Sequence, residues 1–319
     1  MYPFPENQEK PGRTNGNGPT GAYLALTDLI RLRFGARELK LNRQRKTFSL
    51  LVGPHQTRFR GRGIEFEEVR AYQAGDDIRS IDWRVTARSG KPHTKLFREE
   101  RERPVLLLVD QGLSMFFGSR TCFKSVMAAH IASLLAWAAF QQNDRVGGLV
   151  FNASSHSEVR PKRSARNVLQ LLNAITTFNL LLNREMVEPD RGINRGLEEL
   201  HRITRPGSNI FLISDFHGFN DQGRENLFQL SRHNDITAFL VFDPLEKELP
   251  PPGTYSFTDG RNRFRIFTGS RSLRTDFQNA YTKRHDRLKG AFDRMGIPLI
   301  PVSTVEKPLY FLRDLFRAK

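Results

Sequence analysis

The chain has 319 residues, 38% hydrophobic and 26% charged, with a formal net charge of +16, a composition that excludes a disordered protein. Its single cysteine, Cys122, excludes an internal disulfide or a cysteine-built metal knuckle and suits a reducing compartment. The longest apolar run, Ser125 to Phe140, is shorter than the ~20 residues that cross a bilayer and contains His130 and Ser133. A cytoplasmic chain with no membrane span is therefore expected.

In chain order, the first ~20 residues are rich in Pro, Gly and Asn and read as a mobile N-terminus. They carry no apolar core behind a basic flank, so they are not a secretory signal. Leu24 to Phe34 reads as a helix, and 47–70 and 93–103 contain strands flanked by loops.

From residue 104 the pattern becomes regular. Val105 to Val109, ending in Asp110, reads as a strand buried on both faces. A helix follows over 122–142, then a strand Arg145 to Phe151 and helices near 164–176 and 191–204. The strand Asn209 to Ser214 ends in Asp215. A helix near 222–233 leads to the strand Ile236 to Phe242. Thr254 to Phe257 and Arg263 to Phe267 form a hairpin around Asp259-Gly260. A long charged helix over 272–295 stops at Gly296. A strand Ile297 to Val302 and a helix Leu309 to Phe316 close the chain.

Strands alternating with helices predict an α/β fold with a mostly parallel sheet covered on both faces. In such sheets ligands bind beyond the carboxyl ends of the strands, where Asp110 and Asp215 stand. The expected division is a mobile 1–20, an accessory region 21–103 whose strands pack against the α/β body since no Pro/Gly linker separates them, an α/β domain 104–305 and a C-terminal helix 306–319.

Two basic clusters, Arg58-Phe59-Arg60-Gly61-Arg62 and Arg261-Asn262-Arg263-Phe264-Arg265, interleave Phe with Arg. Stacking on bases is one reading. A strand with one buried and one solvated face is favoured, because side chains alternate with period two. The basic excess predicts attraction to an acidic surface, which leaves room for peripheral contact with a membrane.

The segment from Gly61 to Arg88 is dense in fixed charges and aromatic residues, with Glu65, Arg70, Tyr72, Gly75, Asp76, Asp77, Arg79, Asp82 and Trp83 in order. Arg and Asp at pairing distances favour a structural hub, and a docking surface is the alternative. The pattern G-x-E-F-x-x-x-R-x-Y-x-x-G-D-D-x-R-x-I-D-W-x-x-x-A-R resembles the domain of unknown function 58 family. That resemblance extends over roughly 25–245 and implies a von Willebrand A-like domain.

It also implies a metal-ion-dependent adhesion site of the form D-x-S-x-S, with a Thr on a later loop and an Asp after a later strand. Here Asp110-Gln111-Gly112-Leu113-Ser114 keeps the first carboxylate and the second serine, and Asp215 matches the last position. Gly112 offers no side-chain oxygen. The loop Gly192 to Gly196 holds no Thr, only Asn194 with its amide oxygen, next to Arg195. A degenerate site is therefore expected, with Asp110, Ser114 and Asp215 as the metal ligands that remain and Asn194 as a fourth. The alternative is that both carboxylates bind loop amides or Arg195. No cofactor is expected, magnesium being the one candidate.

No phosphate loop, nucleophile elbow or zinc-protease motif occurs. The resemblance implies a non-enzymatic adaptor acting with a MoxR-type AAA+ ATPase in maturing or remodelling a protein complex. A basic nucleic-acid-associated protein and a magnesium-dependent ligand-binding or hydrolytic module are the alternatives.

Overall fold

The computed structural model describes residues 18–41, 65–73, 78, 81–98, 104–182, 192–258 and 263–317. The expected mobile N-terminus lies almost wholly outside these residues, as do the cluster at Arg58 and the turn at Asp259. The chain divides into two compact units, one of Met1–His55 with Pro104–Lys319, the other of Gln56–Arg103.

The larger unit is built on a six-stranded sheet. Its strands are β3 (Pro104–Asp110), β4 (Arg145–Phe151), β5 (His156–Lys162), β6 (Asn209–Ser214), β7 (Asp235–Phe242) and β10 (Leu299–Ser303). Their spatial order is β10-β7-β6-β3-β4-β5, parallel throughout except for β5 at one edge. The α/β class is as expected. β5 was not anticipated, because Ser-Glu-Val-Arg-Pro-Lys lacks the apolar run of a strand buried on both faces. Only Val159 of this edge strand is fully buried. Next to it, β4 shifts register between Val146 and Gly148. A Cβ at Gly147 would lie 2.4 Å from the Val159 carbonyl oxygen, so the bulge requires glycine there.

Period-two alternation divides the core between the two faces. Val105, Leu107 and Val109 join Phe211 and Ile213 under helices α3 (Lys124–Gln141) and α4 (Ala165–Leu180). Leu106 and Leu108 join Ile210 and Leu212 under α5 (Gly192–Ile203), α6 (Asp221–Ser231) and α8 (Arg271–Arg294).

Helix α3 is buried from Lys124 through Ala139, so it has no polar face. A helix apolar all round needs cover on its outer side as well. The segment 24–41, with the short helix α1 (Leu26–Arg31), and the C-terminal helix α9 (Pro308–Phe316) provide it. Ser133 Oγ and Trp137 Nε1 both donate to the Leu29 carbonyl, at 2.7 and 3.2 Å. Gln142 exchanges hydrogen bonds with Leu39 and Leu41. Residues 24–41 and 308–316 thus pack into the body. Helix α1 is shorter than the predicted 24–34, the chain turning at Leu32 into a 3-10 turn over Gly35–Glu38.

The smaller unit contains an antiparallel pair, β1 (Glu65–Ala71) and β2 (His93–Arg98), and helix α2 (Trp83–Ser89). A hairpin of β8 (Thr254–Thr258) and β9 (Arg263–Phe267) forms a third sheet, as expected. The expected apolar face of β9, Phe264 with Ile266, is only partly covered: Phe264 is 54% exposed and Ile266 half-buried.

Candidate functional site

Three aspartates stand at the carboxyl ends of adjacent parallel strands: Asp110 ends β3, Asp215 follows β6 and Asp243 follows β7. All three are buried. Each accepts hydrogen bonds from the loop that leaves its strand, which supplies partners to a buried polar group. Asp110 Oδ1 accepts the Gly112 amide at 2.8 Å, and Asp110 Oδ2 accepts the Ser214 hydroxyl at 2.5 Å. The same Ser214 oxygen accepts the Phe216 amide at 2.8 Å. Asp215 Oδ1 accepts the His217 amide at 2.9 Å and the Ser114 hydroxyl at 3.2 Å.

Phe216 holds the turn after Asp215 with φ of 52°, in the left-handed region that a side chain of this size adopts at a cost. Its ring is pinned against Phe219 and Phe292 at centroid distances of 6.3 and 5.0 Å. That packing fixes the direction in which Asp215 points.

The remaining oxygen of Asp215 meets a lysine. Lys124 Nζ lies 2.7 Å from Asp215 Oδ2 and 2.7 Å from Glu246 Oε1, with its side chain 2% exposed. Lys124 is the first residue of α3, where a cation opposes the helix dipole. The Cα–Cβ bond of a helical residue tilts toward the N-terminus, and here that direction leads to the strand ends. Burial would lower the Lys124 pKa, but Asp215 and Glu246 outweigh it and hold it above the ordinary lysine value. Burial would raise the Asp215 carboxyl, and the Lys124 ammonium beside it keeps it below the usual carboxylate range.

Glu246 belongs to the short helix α7 (Pro244–Lys247), whose capping box ties Asp243 and Glu246 to each other's backbone amides. Asp243 also accepts from the Ser119 amide and hydroxyl and from Thr304 Oγ1, at 2.9, 2.5 and 2.6 Å. Cys122 donates to the Thr304 carbonyl at 3.3 Å. Burial, with the charge of Asp243 adding to it, pushes the Cys122 thiol up to about 12, so it is a packed thiol and not a nucleophile.

Of the residues singled out in the sequence, Asp110, Ser114 and Asp215 are thus brought together. Asn194 is buried near them but serves the loops: Nδ2 donates to the Gly218 carbonyl at 2.7 Å, and Oδ1 accepts the Asn220 amide at 3.2 Å. Arg195 turns away and reaches the Ser154 carbonyl at 3.4 Å, so Lys124 and not Arg195 is the cationic partner of Asp215. His217 is exposed. Asp243, Glu246 and Lys124 were missed. A signal for Lys124 was available, since it is the one lysine or arginine in an otherwise apolar helix.

These residues do not fit a hard divalent cation. Such an ion wants six oxygens at about 2.0–2.1 Å, from hydroxyls, carboxylates and waters. Here Gly112 offers no side-chain oxygen, the Asn194 carboxamide is held by two loop backbones, and an ammonium already sits against Asp215. Among the described residues no group of three or more His, Cys, Asp or Glu side chains could hold a metal.

Beside this edge a cleft of about 180 Å³ opens between the β6–α6 turn and α8. Arg224, Arg284, Arg287 and Arg294 line it, and Asp221, 3.0 Å from Arg224, is its one acidic residue. Arg284 also donates to the Asp215 backbone carbonyl at 3.1 Å, which links the cleft to the strand ends.

In the smaller unit, Asp82 caps α2, accepting the Arg84 and Val85 amides at 3.0 and 3.2 Å. Gly90 at φ of 68° ends that helix. The Tyr72 amide donates to Pro92 O, and Arg70 to the Ala71 carbonyl. Trp83 is 68% exposed. Glu65 lies on β1, and Gly75, Asp76 and Arg79 fall outside the described residues.

A mostly parallel sheet with helices on both faces and carboxylates at its strand ends is the α/β arrangement expected from the sequence, with its candidate site at the carboxyl edge. The model of the family described as "Protein of unknown function DUF58" matches residues 68–287, and the chain belongs to that family. It is 29% identical over 273 residues to the uncharacterized proteins Mb1516 of Mycobacterium bovis and Rv1480 of Mycobacterium tuberculosis. Each match covers 84% of this chain and 83% of the relative. Among solved structures, the chain is similar to the conserved hypothetical protein BatB from Bacteroides thetaiotaomicron, with a TM-score of 0.42 and 16% identity. That match covers 66% of this chain and 96% of BatB. It is also similar to the SpRpn10 VWA domain, with a TM-score of 0.33 and 13% identity over 67% of this chain and 95% of that one.

Proposed function

We propose that this protein is a non-enzymatic, cytoplasmic binding module, working as an adaptor with a MoxR-type AAA+ ATPase in the maturation or remodelling of a protein complex. The observation that carries this is the state of the strand-end edge. Its carboxylates at Asp110, Asp215 and Asp243 are all engaged by internal donors. General acid–base chemistry needs a group with a proton to exchange within reach of a substrate, and nucleophilic chemistry needs an activated nucleophile. What the edge offers a partner is shape and charge, with the arginine-lined cleft as the place where an acidic protein surface would dock. A nucleic acid would meet the same arginines, and direct titration with duplex DNA and with RNA, whose binding falls with salt in proportion to the phosphates neutralised, separates the two.

Native-cell affinity purification of the tagged full chain, with and without nucleotide, tests the proposal. A co-purifying AAA+ ATPase is expected, weakened when Arg287 and Arg294 are both changed to Glu. Recovery of no such ATPase under either condition would sink it.

A further inference from the structure

We infer that the Lys124 ammonium takes the place of the divalent cation at this von Willebrand A-like edge, so that the edge is charge-balanced from within and works without a metal ion. Three observations carry this.

The ammonium lies against one of the expected ligands. It is 2.7 Å from Asp215, the carboxylate that the metal-site pattern requires, and 2.7 Å from Glu246, which that pattern does not contain. A second positive centre beside Asp215 would meet the ammonium at contact distance, in a buried setting where like charges repel most.

The oxygens that an ion would recruit already have donors. Ser114 Oγ donates to Asp215 Oδ1, the Ser214 hydroxyl and the Gly112 amide donate to Asp110, and the Asn194 carboxamide joins Gly218 and Asn220. A cation would have to compete with these donors for the oxygens of Asp110, Asp215 and Asn194. Magnesium also gives up its waters reluctantly, so little would favour it in that competition.

The lysine also does a structural task that a dissociable ion would do only when bound. It joins the N-terminus of α3, the end of β6 and the helix α7 through one ammonium. Being covalently part of the chain, it remains bound at any metal concentration. Recognition at this edge then cannot run through a partner carboxylate completing a metal's coordination shell, and falls to fixed groups such as Arg224, Arg287 and Arg294. The inference stands whatever partner the edge binds.

Thermal unfolding of the full chain tests it. The wild type is expected to melt at the same temperature, within about 1 °C, in EDTA and in millimolar Mg²⁺ or Mn²⁺. An ion bound at 100 times its dissociation constant would raise that temperature by several degrees. Lys124→Met should melt well below the wild type. The neutral triple variant Lys124→Met, Asp215→Asn, Glu246→Gln should recover part of that loss, because it also removes the buried negative charge. A metal-dependent gain in the wild type that Asp110→Ala abolishes would overturn the inference. So would a triple variant with none of the loss recovered, since Lys124 would then be filling space and not balancing charge. If Lys124→Met does not fold, the wild-type comparison decides alone.

Discussion

Single residues at the strand ends differ in how much charge they leave uncompensated. Asp215→Asn removes one carboxylate but leaves Lys124 paired with Glu246 at 2.7 Å. It should cost about 1–3 kcal/mol, the scale of a lost charge-assisted hydrogen bond. Lys124→Met leaves Asp215 and Glu246 facing each other without a cation, and breaking a buried pair in that sense costs about 3–5 kcal/mol. Chemical denaturation of both variants should therefore rank Lys124→Met as the more damaging, and the reverse order would contradict this assignment of charge. Asp110 and Asp215 were legible in the sequence because each directly follows an apolar strand. Asp243 follows one too, but it was passed over because the family pattern gives it no place. Lys124 and Glu246 come together only through the packing of α3 and α7 across the sheet, 122 positions apart in the chain.

At the scale of elements, the α5–α6 contact shows how a small residue is dictated by a distant one. A Cβ at Gly223 would lie 2.1 Å from Asn194 Oδ1, within the bond that holds the Asn220 amide. Gly→Ala inside a helix ordinarily gains about 1 kcal/mol. Gly223→Ala is expected to lose stability instead, and to lose less in an Asn194→Ala background, a non-additivity that a double-mutant cycle measures. Equal costs in the two backgrounds would refute the contact. Strands β3, β4, β6 and β7 were readable to within one residue because Val/Leu/Ile/Phe runs between turn residues leave few alternatives. β5, half polar and at an edge, carries no such run. That residues 24–41 cover α3 in particular was hidden for a different reason. Leu24, Leu29, Leu39 and Leu41 are each unremarkable locally, and their task, covering the outer side of α3, exists only in the folded chain.

At the scale of the whole molecule, the formal charge of +16 is partly gathered into the cleft beside the strand ends, where four arginines face one aspartate. Changing Arg287 and Arg294 to Glu should slow association with an acidic partner and flatten its dependence on ionic strength, while leaving the melting temperature nearly unchanged because both side chains are exposed. Surface plasmon resonance across a salt series reads this, and unchanged association rates would place the partner elsewhere. Whether a lysine and not a metal balances this edge is decided by titrating the wild-type protein into Mn²⁺ and following the electron paramagnetic resonance signal of the free ion. The signal is expected to keep its full intensity at one equivalent of protein. A stoichiometric loss of signal that Asp110→Ala restores would contradict balance by the lysine.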